Sequence, residues 1–409
     1  MPEKRSGSII LLSNAYYPNI GGIENSLYHL AKSYQKDGYH VDILVGDINL
    51  VNDRSLPSFE VLDGINVHRF GVRQPWCQFP VLRSFARYID MKKKLKSLIH
   101  CDTLGIVSRY HDTTVVAKIV CRLPVVYLVP GVVQEQDKPI NTSIDRGYFS
   151  YIKKLGRLYV HSMVQQLAFR ITNHLIVFSE NMKKQVEQCF NRKKPLIEIT
   201  KPGVDCDRFF PIEEHAKVCL KQTLNIPESG PILLGVGRLV TAKGFHHLIA
   251  ALPYCPQATA VIIGDGPERK SLECLAVQLG VSGRVIFKGA VAEPNLYYQA
   301  ADVFMMTSLY EPLGQIILEA IASGLPVIAF SKSAAPHTAT DELLSPKNGV
   351  FVDRLDGLSL SKAINSVLDN PTITERLSKQ GRTLAVDSFN WGALAKMLLT
   401  KMDKARINS

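Results

Sequence analysis

The feature that most constrains this chain is a repeated alternation. Short apolar, β-branched runs recur, and stretches with helical periodicity follow them. Ser8-Ile9-Ile10-Leu11-Leu12-Ser13 is such a run, and Glu24–Lys36 follows it with apolar Leu27, Leu30 and Ala31 on one face and Gly38 as a stop. Further strands are expected at 41–45, 67–70, 104–108, 125–129 and 175–178. The pattern restarts near residue 206, with strands at 232–237, 260–263, 285–287, 303–306 and 327–329 and helices at 245–252, 269–279, 296–300 and 313–322. Runs apolar on both faces suit buried parallel strands, and helical crossovers between them enforce a mostly parallel sheet. The expected fold class is therefore α/β, with two doubly wound, Rossmann-like domains facing each other across a cleft. Such sheets take ligands at the carboxyl ends of their strands.

Composition narrows the function classes. At 409 residues, 46% of them hydrophobic and 21% charged, the chain has an ordinary globular balance, long enough for two or three domains. No run approaches the length of a membrane span, and the N-terminus lacks the apolar stretch of a secretion signal. Eight scattered cysteines without a C-x-x-C pair suit reduced thiols in a cytosol. The net charge of +11 is lopsided: residues 1–200 hold 27 basic and 17 acidic side chains. That excess points to an anionic partner: a membrane surface, nucleic acid or a phosphorylated substrate. Two basic amphipathic stretches, Arg83–His100 and Tyr148–Arg170, have the pattern of helices that lie on anionic lipid or that pack with a solvated basic face. No nucleic-acid module is present, so that partner is not expected.

Four segments could carry chemistry. In Glu311-Pro312-Leu313-Gly314-Gln315-Ile316-Ile317-Leu318-Glu319, two glutamates stand eight positions apart, one before a helix and one inside it. That spacing is a little over two turns, so Glu319 falls roughly on the side of the helix start. Pro312 suits a first turn, Gly314 permits close approach of a ligand, and the N–H groups of residues 314–316, including Gln315 and Ile316, could hold a phosphate. Gly237-Arg238-Leu239-Val240-Thr241-Ala242-Lys243-Gly244 links a strand to a helix, and Arg238 and Lys243 could share one anionic group. Gly264-Asp265-Gly266-Pro267 is a tight turn. Tyr17-Pro18-Asn19-Ile20-Gly21-Gly22 precedes the first helix and departs from the dinucleotide spacing G-x-G-x-x-G.

Together these residues resemble the family-four retaining glycosyltransferases of the GT-B fold. Pro202-Gly203-Val204-Asp205-x-x-Arg208-Phe209-x-Pro211 resembles that family's domain junction, and Phe389-Asn390-Trp391 the start of its final helix. The resemblance implies an N-terminal acceptor domain over 1–204, joined by a return helix over 388–409, and a nucleotide-sugar domain over 205–387. It implies that Arg238, Lys243 and Glu311 are catalytic, with Glu311 on the donor sugar and Glu319 on the ribose. Gly21 and Gly22 would face the phosphates, with Gly237, Gly264, Gly314, Gln315 and Ile316 also lining the donor site, and the backbone at Lys288 and Gly289 would face the base. No metal and no cofactor are implied; the donor, a UDP- or GDP-sugar, enters as substrate. Where members carry His near the donor sugar this chain has Pro130-Gly131, leaving His111 either as an alternative polar group or as a surface histidine. Ser333-Ala334-Ala335-Pro336-His337 departs from the family's glycine pair and glutamate.

The expected function is transfer of a hexose or N-acetylhexosamine to a lipid-linked saccharide in lipopolysaccharide or capsule synthesis. The enzyme would be cytoplasmic, peripheral at the inner face of the plasma membrane, and held to anionic lipid through its basic N-terminal domain. The alternatives are a soluble acceptor such as a sugar phosphate, or a catalytically silent sugar-nucleotide-binding subunit.

Overall fold

The computed structural model describes residues 7–19, 21–49, 55–72, 80–133, 148–172, 174–190, 195–311, 314–334, 337–338 and 340–407. Of the side chains of 80–84, 148–155, 157, 337 and 405–407 nothing is said. Lys153, Lys154 and Arg157 in the second basic stretch therefore lie outside the described side chains, as do Pro312, Leu313, Ala335 and Pro336 entirely.

The chain divides into two compact units, Met1–Lys201 with Trp391–Ser409, and Pro202–Asn390. The first is built on an eight-stranded sheet: β1 (Ser8–Leu12), β2 (His40–Gly46), β3 (Phe59–Leu62), β4 (Ile65–Phe70), β5 (Thr103–Ser108), β6 (Val125–Leu128), β7 (His174–Val177) and β8 (Ile197–Ile199). Its order is β3-β4-β2-β1-β5-β6-β7-β8, parallel throughout except for the β3–β4 hairpin. β1 is buried along its whole length, as its unbroken apolar sequence requires. The sequence pattern points to β4 but not to its hairpin partner β3, which is short and half-exposed. The final helix, Trp391–Ile407, packs on helix Gly22–Lys36 and on β5, with Trp391 stacked on His29 at 5.2 Å.

The second unit carries a six-stranded, all-parallel sheet. Its strands are β9 (Ile232–Val236), β10 (Thr259–Ile263), β11 (Val285–Gly289), β12 (Val303–Met306), β14 (Val327–Phe330) and β16 (Val350–Val352), in the order β11-β10-β9-β12-β14-β16. A separate two-stranded pair joins β13 (Tyr310–Glu311) to β15 (His337–Thr338). Apolar clusters cover both faces of the large sheet. Buried polar groups serve as ties. Asp302 accepts the Ile232 amide at 2.7 Å and pairs with Lys217 and Lys221, fixing helix Glu214–Thr223 at the start of β9. Arg382 donates to the carbonyls of Phe209 (2.7 Å), Ala322 (2.6 Å) and Cys206 (3.2 Å), pinning the unit's entry segment to the end of helix Gln315–Ala322. The cysteines among the described residues are free.

Candidate functional site

In the second unit, β9 and β12 are neighbours from which the chain leaves in opposite directions, toward β10 and β11 on one side and β14 and β16 on the other. This reversal opens a crevice at the carboxyl ends of the two strands, the usual ligand position in an open α/β sheet. The loops after β9 and β12 are sewn together there. The Thr307 hydroxyl donates to the Lys243 carbonyl at 2.9 Å, and the Leu309 amide to the Ala242 carbonyl at 2.8 Å. Gly244 is left-handed, with φ +63°, and a Cβ on it would sit 2.2 Å from the Thr307 carbonyl oxygen. The crossing is thus open only to glycine. Its result is an ion pair between the Lys243 ammonium and the Glu311 carboxylate, both mostly shielded from solvent. Arg238, in the same loop, is exposed and its guanidinium has no protein partner among the described residues.

Gly237, Gly264 and Gly289 meet through their backbones. The Gly237 amide donates to the Ile263 carbonyl at 2.9 Å and the Gly264 amide to the Gly289 carbonyl at 2.8 Å. Lys288 directs its ammonium away from this knot, to the carbonyls of Leu224 (2.7 Å) and Asn225 (3.0 Å) beyond helix Glu214–Thr223. That is a favourable place for a cation at a helix C-terminus.

Helix Gln315–Ala322 begins at Gly314, whose φ is +68° and whose amide points at Glu311 Oε1 from 3.4 Å. Gln315 donates to the Gly203 carbonyl at 3.0 Å, and its Oε1 is buried without a partner among the described residues. Ile316 packs against the apolar core. Glu319 is buried and accepts a 2.9 Å bond from the Tyr298 hydroxyl. Burial pushes its carboxyl up to about 7. The Tyr298 bond and the Arg208 charge pull it down, and the Glu311 charge adds to the rise. Sequence reading missed Tyr298, whose only signal was an aromatic in a short amphipathic helix.

In the first unit the corresponding reversal lies between β1 and β5. Gly21 is extended, and Gly22 opens helix Gly22–Lys36. A Cβ on Gly21 would approach Glu24 Oε2 to 2.6 Å, so the glycine leaves room for that carboxylate. Burial raises the Glu24 carboxyl, while its backbone hydrogen bond and the Arg109 charge draw it back. Arg109, unread in the sequence, is wholly buried at the end of β5. It donates to the Leu128 carbonyl at 3.0 Å, and its Nε and Nη2 have no partner among the described residues. Its signal was its position, a charge directly after an apolar strand. His111 is buried rather than on the surface: its Nε2 lies 3.1 Å from His161 Nδ1, and burial pushes its pKa down to about 4. Pro130-Gly131 follows β6, and the Gln165 side chain clamps that loop by donating to the Gly131 carbonyl (2.8 Å) and accepting the Val133 amide (2.9 Å). The structure therefore brings Gly237, Lys243 and Glu311 to one strand-end crevice and places Gly314, Gln315, Ile316 and Glu319 on the adjoining helix start. Gly264, Lys288 and Gly289 stand at the neighbouring strand ends, and Gly21, Gly22 and His111 belong to the other unit.

Two family models match the chain, "Glycosyltransferase Family 4" over residues 20–208 and "Glycosyl transferases group 1" over residues 219–384. An uncharacterized glycosyltransferase of Methanocaldococcus jannaschii is 27% identical over 403 residues, covering 95% of this chain and 96% of that protein. The lipopolysaccharide core biosynthesis glycosyltransferase LpsE of Rhizobium meliloti is 36% identical over 176 residues, covering 43% of this chain and 51% of that protein. A GDP-mannose-dependent alpha-(1-6)-phosphatidylinositol monomannoside mannosyltransferase of Mycolicibacterium smegmatis is 33% identical over 221 residues, covering 50% and 56%. The chain thus spans about half the length of these last two relatives. Among solved structures, sucrose-phosphate synthase from Thermosynechococcus elongatus superposes with a TM-score of 0.76 at 23% identity, covering 98% of this chain and 100% of that one. Anabaena HepE in complex with UDP-glucose gives 0.73 at 20% identity, covering 97% and 100%. With one family model on each half and whole-chain structural likeness, the protein belongs to the family-four glycosyltransferases of the GT-B fold.

Proposed function

We propose that the chain transfers a hexose or N-acetylhexosamine from a nucleoside-diphosphate sugar to a lipid-linked saccharide of a surface polysaccharide. The observation that carries this reading is the Lys243–Glu311 pair at the β9–β12 reversal, with the Arg238 guanidinium unengaged in the same loop. As the sugar leaves, negative charge grows on the bridging oxygen of the diphosphate. Arg238, Lys243 and the amides that open helix Gln315–Ala322 are aimed to receive that charge in a partly shielded site, where such interactions strengthen. The chain's own cations suffice for this task, and no divalent ion is assigned to it. Glu311 holds Lys243 in place and accepts hydroxyls of the donor sugar. Transfer with retention follows if the acceptor attacks from the face that the phosphate leaves and that phosphate takes the acceptor's proton, so neither glutamate serves as a general base. Glu319, drawn inward to Tyr298, meets the ribose only with its outward edge. HepE bound to UDP-glucose supports a nucleotide-sugar donor, and the Mycolicibacterium relative's use of GDP-mannose leaves the base between UDP and GDP.

The two relatives named for lipopolysaccharide core and phosphatidylinositol monomannoside support a lipid-borne acceptor. So does the surface of the first unit. Phe85 and Ile89 on helix Pro80–Leu98, and Tyr159, Val160, Met163 and Leu167 on helix Tyr148–Ile171, are all exposed, with Lys92, Lys93 and Lys96 exposed on the first of these helices. Apolar side chains flanked by lysines suit the boundary of an anionic bilayer. Among the described residues no helix is long and apolar enough to cross a membrane.

The test is a metal-free thermal-shift screen with UDP, GDP, ADP, CMP and their sugar conjugates, followed by flotation with anionic vesicles at low and high salt. A ligand at about 100 times its Kd adds about 2.7 kcal/mol to folding. Stabilisation by one nucleotide series, together with salt-sensitive flotation, is the expected result. No stabilisation by any of them removes the donor assignment, and flotation absent at low salt removes the membrane assignment.

A further inference from the structure

We propose that His111, His161 and Asp112 form a binding site in the first unit for a divalent transition cation of the zinc class. The topology assembles it. His111 and Asp112 are the first two residues of helix His111–Val120, at the carboxyl end of β5, and His161 comes from helix Tyr148–Ile171, which packs along that helix. One ligand atom from each of the three lies within 4.8 Å of the others. His111 Nε2 is 3.1 Å from His161 Nδ1 and 3.6 Å from Asp112 Oδ1. Donors about 2.0–2.1 Å from a tetrahedral cation stand about 3.3 Å apart, so two of the three edges already have nearly the required length.

The donor set selects the metal class. Two imidazoles and one carboxylate suit zinc and its neighbours, whereas magnesium and calcium favour all-oxygen shells. Three protein ligands leave one position for water or a ligand. In the unloaded site one imidazole donates its N–H to the other. On loading, that proton shifts to the far nitrogen of the same ring, so both rings ligate as neutral tautomers.

Asp112 is divided between two tasks. Oδ2 takes the Arg87 guanidinium, while Oδ1 faces His111. A ligating carboxylate held by a second partner is the usual outer-shell arrangement of a metal site. Arg87 and the positive helix end both oppose a cation, and the Asp112 charge offsets them. A hard cation bound by charge alone gains nothing under that balance, whereas zinc gains its bonds to the two rings.

The experiment uses the full, untagged chain, stripped with chelator and titrated with Zn2+ by calorimetry and with Co2+ by visible absorption. The expected result is about one cation per chain, Co2+ bands of a four-coordinate site, and no displacement by excess Mg2+. His161→Gln and Asp112→Asn, checked for native circular dichroism, are expected to lose the Co2+ bands and to weaken Zn2+ binding by more than about tenfold. His161 is half-buried, so its substitution leaves the fold testable even where an Asp112 variant fails. Absence of binding, or binding unchanged in His161→Gln, overturns the proposal. Nucleotide binding reads a different unit, so failure here and failure of the donor assignment are separable.

Discussion

Replacing Glu319 with glutamine should flatten the pH dependence of the second unit's stability between about pH 4.5 and 7. Burial raises the folded carboxyl from its ordinary 4.5 to about 7. The folded state therefore holds its proton more tightly than the unfolded chain. The stabilisation from that proton is complete below about 4.5 and is lost as pH climbs to about 7. At about 1.4 kcal/mol per pH unit, the loss across this window is roughly 3 kcal/mol. Glutamine keeps an oxygen to accept the Tyr298 hydroxyl and carries no titrating proton, so the variant should lack the slope while keeping the bond. Urea unfolding of both proteins at pH values spaced across about 4 to 8 measures this. The probe matters: both tryptophans, Trp76 and Trp391, belong to the first unit, so their fluorescence would miss the effect. Far-UV circular dichroism, with each transition fitted separately, would see it. Parallel stability curves for wild type and Glu319→Gln across the window would refute the reasoning.

Tyr298→Phe should extend the pH-dependent loss above pH 7, because it removes the donor that lowers the Glu319 carboxyl, and cost about 1–3 kcal/mol; the same urea series reads both effects. Gly264→Ala should cost about 3 kcal/mol or more, measured as a drop in the second unit's melting transition, because φ is +126° and the new Cβ would lie 1.9 Å from the Gly237 carbonyl oxygen. Lys243→Ala should lower kcat by ~10²–10³, the scale seen when one stabiliser of developing charge is removed, and should also lower the second unit's melting transition, because the shielded Glu311 carboxylate loses its partner. Glu311→Ala with unchanged turnover would end the role assigned to that carboxylate.

Much of the architecture was legible because the parallel strands are apolar on both faces, which leaves little ambiguity over runs such as Ile9–Leu12 or Thr259–Ile263. The half-exposed strand Phe59–Leu62 and the three-residue strands Ile197–Ile199 and Val350–Val352 lack that signature, and only their pairing partners define them. The same division runs through the candidate site. Lys243 and Glu311 were readable as a basic loop and a helix-flanking acid, yet their pairing across 68 positions depends on β9 and β12 lying side by side. The Glu311–Glu319 spacing suggested two acids on one side, whereas Tyr298 draws Glu319 inward from a separate helix. Arg109 and the His111–His161 contact are products of packing between elements far apart in sequence, and no local pattern announces them.

The glycine knot at the ends of β9, β10 and β11 has a mechanical consequence. Backbone bonds from Gly237 to Ile263 and from Gly264 to Gly289 lock three strand ends together, and Gly264 lies too close to the Gly237 carbonyl for any side chain. No one of these ends can swing without breaking its neighbour's bond, so this part of the second unit acts as a fixed anvil. The loop after β12 is not part of the knot and is tethered to the β9 loop by one hydroxyl, one amide and the Lys243–Glu311 pair. A nucleotide that draws Lys243 away would loosen that tether, so ligand arrival and loop movement would be one event.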